Sequence, residues 1–259
     1  GGSGGAGADD LVEADGPKHV PDGTLTDQLT LANYVRPGAV GLCAYHRRHV
    51  RLRRRLAQGR HLAVDQALVE AKADKVVRWE IDGSDGDMGH VMSRPVLAKT
   101  RDGKWRAIFG NGYNNTVADG HVSTTGNAVL YILDAQNGNL LKKINTGAGM
   151  AQDPLGLARP NGLGSAAVVD LDRDGVSDFA YAGDLFGNLW KCDLRDNNAT
   201  NWKIAYQDAS SNPLPFYVAK DANGRRQPIT SRPQVGKGKF GAGLMVYFGT
   251  RSEEHTSEL

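Results

Sequence analysis

The residues best suited to chemistry are four aspartates in the run Asp170-Leu-Asp172-Arg-Asp174-Gly-Val-Ser-Asp178. Calcium is a hard cation that takes six to eight oxygen ligands, and alternate carboxylates on a tight loop converge on one point. Gly175 permits the sharp turn, the carbonyl of Val176 can add an oxygen, and Asp178 closes the site from the far side. Four carboxylates gathered without a cation repel one another strongly. The expected metal ligands are therefore Asp170, Asp172, Asp174, Val176 and Asp178, and the expected cofactor is Ca2+. Magnesium fits less well, because it keeps several waters and avoids carboxylate-dense cages. The plain alternative is an acidic surface turn with no ion, against which stand the aspartate spacing and the glycine.

This run is not an EF-hand. Tyr181 stands at loop position twelve where a glutamate would be needed, and the flanks Ala-Ala-Val-Val-Asp-Leu and Phe-Ala-Tyr-Ala-Gly-Asp-Leu read as strands. A strand–loop–strand calcium site follows, not a helix-opening switch. A second acidic run, Asp82-Gly-Ser-Asp85-Gly-Asp87, has poorer spacing and is explained by the backbone needs of a turn. Asp184 and Asp193 end strands and are expected to bond to backbone. His46 and His49 lie in a segment of doubtful character, and His90 and His121 have no clustered partners. No Ser/His/Asp set, phosphate loop or CxxC pattern is present, so no catalytic residue is expected. Cys43 and Cys192 form no spaced framework; Cys192, in Leu-Trp-Lys-Cys-Asp-Leu, points at a core by alternation.

Short β-rich runs must position the aspartate loop. Val76–Ile81, Lys104–Tyr113, Ser165–Leu171, Phe179–Leu185, Gly187–Leu194 and Gly243–Gly249 read as strands. Ala128–Ile144 reads as a hairpin about Asn137-Gly138. With 33 glycines and few helix-forming stretches, the chain is all-β, as a sandwich, barrel or propeller. Two features choose the propeller: the form of Leu-Tyr-Ile-Leu-Asp-Ala-Gln-Asn-Gly-Asn-Leu, and the recurrence of a small-Gly strand followed by an aromatic strand and Asp. A formal net charge of +2 gives no whole-chain case for nucleic acid, and no apolar run is long enough to span a bilayer.

The chain divides into segments of unequal character. Residues 1–75 open on Gly-Gly-Ser-Gly-Gly-Ala-Gly-Ala without Met, as a sequence entered part-way along a gene. Residues 46–61 hold seven Arg, three His and no acid. This run reads as a basic patch, a solvated helix or a reading-frame error. The last is preferred, which makes 1–75 a frame-shifted or disordered segment. A nucleic-acid site would be expected to interleave aromatics, and this run has none. Residues 76–250 are coherent, a partial β-propeller domain. Residues 251–259 read as a translated sequencing adapter.

From Val76 to Thr250 the chain resembles the β-propeller domain of the PilY/PilC family, the type IV pilus biogenesis and tip-adhesin proteins. The resemblance is carried by VVRWEIDGSDGDMGHVMSRPVLAK, DGKWRAIFGNGYN, AVLYILDAQNGNLLKKI, NGLGSAAVVDLDRDGVSDFAYAGDLFGNLWKCDL and PITSRPQVG, with FGNGYN and YAGDLFGNLWK together the most specific. Cys192 stands where the family has an aromatic. The resemblance implies quinoprotein-like blades in a secreted protein that reaches the pilus tip and cell surface through the periplasm and outer membrane. It implies partnership with minor pilins and with host or abiotic surfaces, and a calcium loop that regulates pilus extension and retraction, twitching motility and adhesion. On this reading the chain is not an enzyme. The alternatives are a quinoprotein-like dehydrogenase propeller and a scaffold propeller with structural calcium.

Overall fold

The run Val129-Leu-Tyr-Ile-Leu133 lacks polar alternation, and such a run makes a strand when both of its faces are covered. The computed structural model describes residues 29–33, 40–44, 77–81, 84–238 and 243–250, and here both faces are covered. Leu130 and Ile132 enter one core cluster while Val129, Tyr131 and Leu133 enter another, each at most 1% exposed. The basic run at 46–61, with His46 and His49, lies outside the described residues, as do Asp82 and 251–259.

The chain is a series of antiparallel sheets taken in sequence order. β1 (Leu29–Asn33), β2 (Val40–Ala44) and β3 (Val77–Ile81) form the first. The second is the four-stranded meander β4 (Val96–Lys99), β5 (Trp105–Gly110), β6 (Val129–Asp134) and β7 (Leu140–Asn145). The third is the meander β8 (Leu163–Val169), β9 (Phe179–Asp184), β10 (Asn188–Asp193) and β11 (Lys203–Ile204). A small hairpin, β12 (Tyr206–Gln207) with β13 (Pro213–Leu214), follows, and then β14 (Tyr217–Val218), which pairs with β10. β15 (Gln234–Lys237) and β16 (Leu244–Tyr247) open a further sheet. Helix among the described residues is confined to 3-10 turns, and no helix there is long and apolar enough to cross a membrane.

The two meanders stack face to face as consecutive blades. Ile108, Leu130, Ile132 and Ile144 of the first meet Ala166, Ala180, Ala182, Trp190 and Cys192 of the second in one cluster. Each fully buried aliphatic side chain contributes about 1.5–3 kcal/mol. The period-2 alternation of β9 and β10 puts alanine, tryptophan and cysteine on this shared face. Cys192 is buried here as expected, and burial pushes its thiol up to about 12. The opposite face of the first blade packs Phe109 and Tyr131 against Trp79 and Met88.

Equivalent strand ends latch each blade to the next. β5 ends in Phe109-Gly110 before Asn111, and β9 ends in Gly183-Asp184. A Cβ on Gly110 would lie 2.3 Å from the carbonyl oxygens of Leu163 and Gly164, and one on Gly183 would lie 2.3 Å from Ile229. The missing side chain lets the following segment approach. The polar residue then satisfies buried groups around it. Asn111 Oδ1 accepts from the amides of Val129 (3.0 Å) and Leu163 (2.9 Å), and its Nδ2 donates to the carbonyls of Asp87 and Asn127. Asp184, fully buried, accepts from Asn161, Asn188 and Trp190 side chains and from the amides of Phe186 and Asn188. The repeat read from sequence thus has a physical basis. Asp193 also bonds backbone as expected, accepting from the Arg195 amide at 3.0 Å.

The hairpin at Asn137-Gly138 forms, with a longer connection than a two-residue turn. The Asp134 amide donates to Asn139 O and the Gly138 amide donates to Asp134 O, both at 2.9 Å, with Gly138 at φ 75. The extra length accommodates Trp79, whose indole N–H donates to Ala135 O at 3.1 Å and whose ring lies 2.6 Å from where a Gly138 Cβ would be.

The loop from β7 to β8 is organised by Asp153, whose carboxylate accepts from the amides of Leu155, Leu157 and Arg159 and pairs with the Arg159 guanidinium at 2.9 Å. Burial works against its charge, but Arg159 and these amides pull its carboxyl down to about 2. A folded-state pKa below the unfolded value adds stability above the unfolded pKa, lost as pH falls through the folded one.

Gly110→Ala is expected to lower stability by about 1–3 kcal/mol through overpacking at the blade contact, read as a drop in melting temperature. Asp153→Asn is expected to cost about 1–2 kcal/mol at neutral pH, discounted because Arg159 is partly solvated. The difference from wild type should close between about pH 4 and pH 2, measured by denaturant titration across that range.

Candidate metal centre at the blade contact

β8 and β9 are an antiparallel pair in which Val169 faces Phe179, and residues 170–178 form the loop that joins them. The ladder is closed by the Asp178 amide, which donates to Val169 O at 2.8 Å. Inside the loop the carboxylates hold the backbone. Asp170 Oδ1 accepts from the Arg173 amide (2.6 Å) and Oδ2 from the Gly175 amide (2.8 Å). Asp172 accepts from Asp174 N, and Asp174 Oδ1 accepts from Val176 N. Arg173 and Gly175 both take left-handed conformations, φ 67 and 82, and the two bonds from Asp170 hold that part of the turn.

Asp170, Asp172 and Asp174 are exposed, and each offers a carboxylate oxygen within 4.8 Å of the others. Two oxygens each about 2.4 Å from one calcium ion lie at most about 4.8 Å apart, so this span suits a shared ion. The donor set is hard oxygen throughout, which fits calcium and not a soft metal. Asp178 is placed differently from these three. Its side chain is 4% exposed, Oδ2 accepts from the Leu171 amide at 2.7 Å, and Oδ1 faces Arg101 Nη2 at 3.1 Å. Val176 contributes its amide to Asp174.

Arg101 is the residue that spacing did not reveal. It sits in the β4–β5 turn of the preceding blade, and its guanidinium spans Asp174 Oδ2 (2.9 Å) and Asp178 Oδ1 (3.1 Å). A backbone bond from Ser177 N to Lys99 O, 2.8 Å, ties the same limb of the loop to β4. Nothing local to residues 170–178 signals a partner more than seventy positions away. The neighbouring Asp102 pairs with Arg106, which also meets Asp134 at 2.6 Å.

The second acidic run resolves otherwise. Lys143 Nζ lies 2.8 Å from Asp85 and 2.5 Å from Asp87, and Ser123 donates to Asp87. Burial opposes the Asp85 charge, but Lys143 and the Asp87 amide hold its carboxyl below the usual range. Two carboxylates there share one internal ammonium, whereas in the 170–178 loop Asp174 and Asp178 pair with Arg101, the Arg195 charge also reaches Asp178, and Asp170 and Asp172 form no ion pair among the described residues. That imbalance is what a divalent ion would relieve. His90 and His121, read from sequence as having no clustered partners, meet edge to face with ring centroids 4.8 Å apart, their loops tied by the bonds that Ser123 and Asn115 donate to Asp87.

Comparison with known proteins points one way. The family model described as the PilY1 beta-propeller domain matches residues 62–258. A type IV pilus biogenesis factor PilY1 homolog of Xylella fastidiosa strain Temecula1 is 43% identical over 178 residues, covering 67% of this chain and 11% of that protein. The type IV pilus biogenesis factor PilY1 of Pseudomonas aeruginosa strain UCBPP-PA14 is 34% identical over 201 residues, covering 71% of this chain and 16% of that protein. The crystal structure of the Pseudomonas aeruginosa PilY1 C-terminal domain superposes with a TM-score of 0.60 at 26% identity, over 83% of this chain and 38% of that one. This chain therefore spans a small part of the curated relatives it matches.

The loop geometry gives its aspartates different parts in holding the fold. Asp178→Ala is expected to destabilise by about 2–4 kcal/mol, because it strips the partners of a buried, paired carboxylate. Asp172→Ala should change the melting temperature far less, since loss of its exposed bond from the Asp174 amide is offset by removal of one of three like charges. Thermal unfolding in chelator compares the two.

Proposed function

This chain belongs to the PilY1 β-propeller family, and from that premise we propose that it is a calcium-binding blade module acting in type IV pilus biogenesis. The carrying observation is the convergence of Asp170, Asp172 and Asp174 within 4.8 Å on a loop between adjoining strands. The residues that would hold the ion are these three, the carbonyl of Val176, and Asp178. Calcium would supply positive charge and a coordination geometry; the chain supplies the rest. Asp170 shapes the turn through two amides, Asp174 and Val176 set the turn after it, and Asp178 anchors the loop to the strand pair.

The setting of the loop supports a regulatory part for the ion. It lies where one blade meets the next, so ordering it bears on the blade contact. Its three converging aspartates are exposed and so open to an ion from solvent. On this reading the module is displayed at the cell surface with the pilus, alongside minor pilins. There calcium binding adjusts extension and retraction, and with them twitching motility and surface adhesion. The matched relatives carry the name of a pilus biogenesis factor, and the reading is non-enzymatic.

Calcium at about 100 times its Kd should stabilise the folded chain by about 2.7 kcal/mol, read as a rise in melting temperature that chelator reverses. Asp174→Ala should abolish most of that rise. The same substitution in the full-length protein should disturb surface piliation and twitching. An equal calcium shift in wild type and variant would sink the assignment of the ion to this loop.

A further inference from the structure

The loop already holds a cation of its own. The Arg101 guanidinium lies between Asp174 Oδ2 and Asp178 Oδ1 at 2.9 and 3.1 Å. We infer that Arg101 is an internal competitor for the divalent ion: it sets the calcium affinity of the loop, and its displacement links metal binding to the contact between blades. This inference rests on the calcium reading above.

Three observations carry it. First, the oxygens that Arg101 holds belong to two of the proposed ligands. Asp178 has its other oxygen committed to the Leu171 amide, so the oxygen it can turn to an ion is the one facing Arg101. Asp174 is in the same position, with Oδ1 taken by Val176 N and Oδ2 by Arg101. Second, a divalent ion bound by these carboxylates would sit within a few ångströms of a positively charged guanidinium. The two cations cannot both be closely held without repulsion. Third, the ties of Arg101 are one-sided. It engages the 174–178 limb, which Ser177 also binds to Lys99 of the preceding blade, while Asp170 and Asp172 make their hydrogen bonds within the loop.

The consequence is an exchange of cations. Without calcium, Arg101 neutralises one limb and fastens the loop to the preceding blade. With calcium, the carboxylates of Asp174 and Asp178 turn to the ion and Arg101 is freed toward solvent, which already reaches 31% of its side chain. Affinity is thereby held down to a level that extracellular calcium can modulate. The site differs in this from the Asp85 and Asp87 pair, whose Lys143 stands as the settled counter-ion.

The experiment is calcium titration by calorimetry of the whole chain as wild type, Arg101→Gln and Arg101→Lys, with the Arg101 Nη–H resonances, whose nitrogens face Asp174 and Asp178, followed in the wild type. Arg101→Gln should bind calcium about tenfold or more tightly, the usual scale for removing a like charge at this distance. Arg101→Lys, which keeps the charge, should stay near wild type. The Nη–H resonance should shift toward that of a free side chain as calcium is added. If the wild type binds calcium but Arg101→Gln binds no more tightly, or the resonance does not move, the competitor role is wrong while the calcium site stands. If no variant binds calcium, the reading beneath it fails as well. Should Arg101→Gln not fold, the resonance in the wild type decides alone.

Discussion

The structure depends on how closely one blade's strand ends can approach the next blade. Gly110 and Gly183 occupy equivalent positions, and at each a single methyl group would collide with the following segment at 2.3 Å. Close approach also buries polar groups that must be satisfied. Asn111 and Asp184 do this, each taking several donors that would otherwise be orphaned. Glycine and its polar neighbour therefore work as a pair: one removes bulk, the other restores the hydrogen bonds that close packing threatens.

The acidic loop inherits its meaning from this stacking. On an isolated hairpin, Asp170 to Asp178 would be an acidic turn. Stacked on the preceding blade, it meets Arg101 and Lys99, so its charge is partly answered by a neighbour and its backbone partly fixed. The opposing case is the 85–87 turn, where Lys143 brings enough charge within 3 Å to hold two carboxylates. Similar sequences of Asp and Gly end in different electrostatic states because different blades lean on them. A loop left with excess negative charge at such a junction has a physical reason to respond to a cation and to pass that response to the contact it borders.

The aspartate spacing, the turn glycine and the strand character of the flanks determined by themselves that an oxygen-rich loop would close a strand pair, because these are local properties of nine consecutive residues and their neighbours. The form of Leu-Tyr-Ile-Leu-Asp-Ala-Gln-Asn-Gly-Asn-Leu and the recurrence of a small-Gly strand followed by an aromatic strand and Asp likewise announced stacked blades, since a repeated unit leaves its mark in composition at fixed positions. Tertiary structure alone decided that Asp178 turns to Leu171 and Arg101 while its three companions converge, that Lys143 claims Asp85 and Asp87, and that His90 meets His121. Each of those pairings joins residues far apart in the chain through the packing of one blade or loop on another. A charged side chain carries no local sign of which distant group will share its dielectric surroundings. Ion pairing is set by where the folded chain happens to bring opposite charges together, and that is a property of packing, not of spacing.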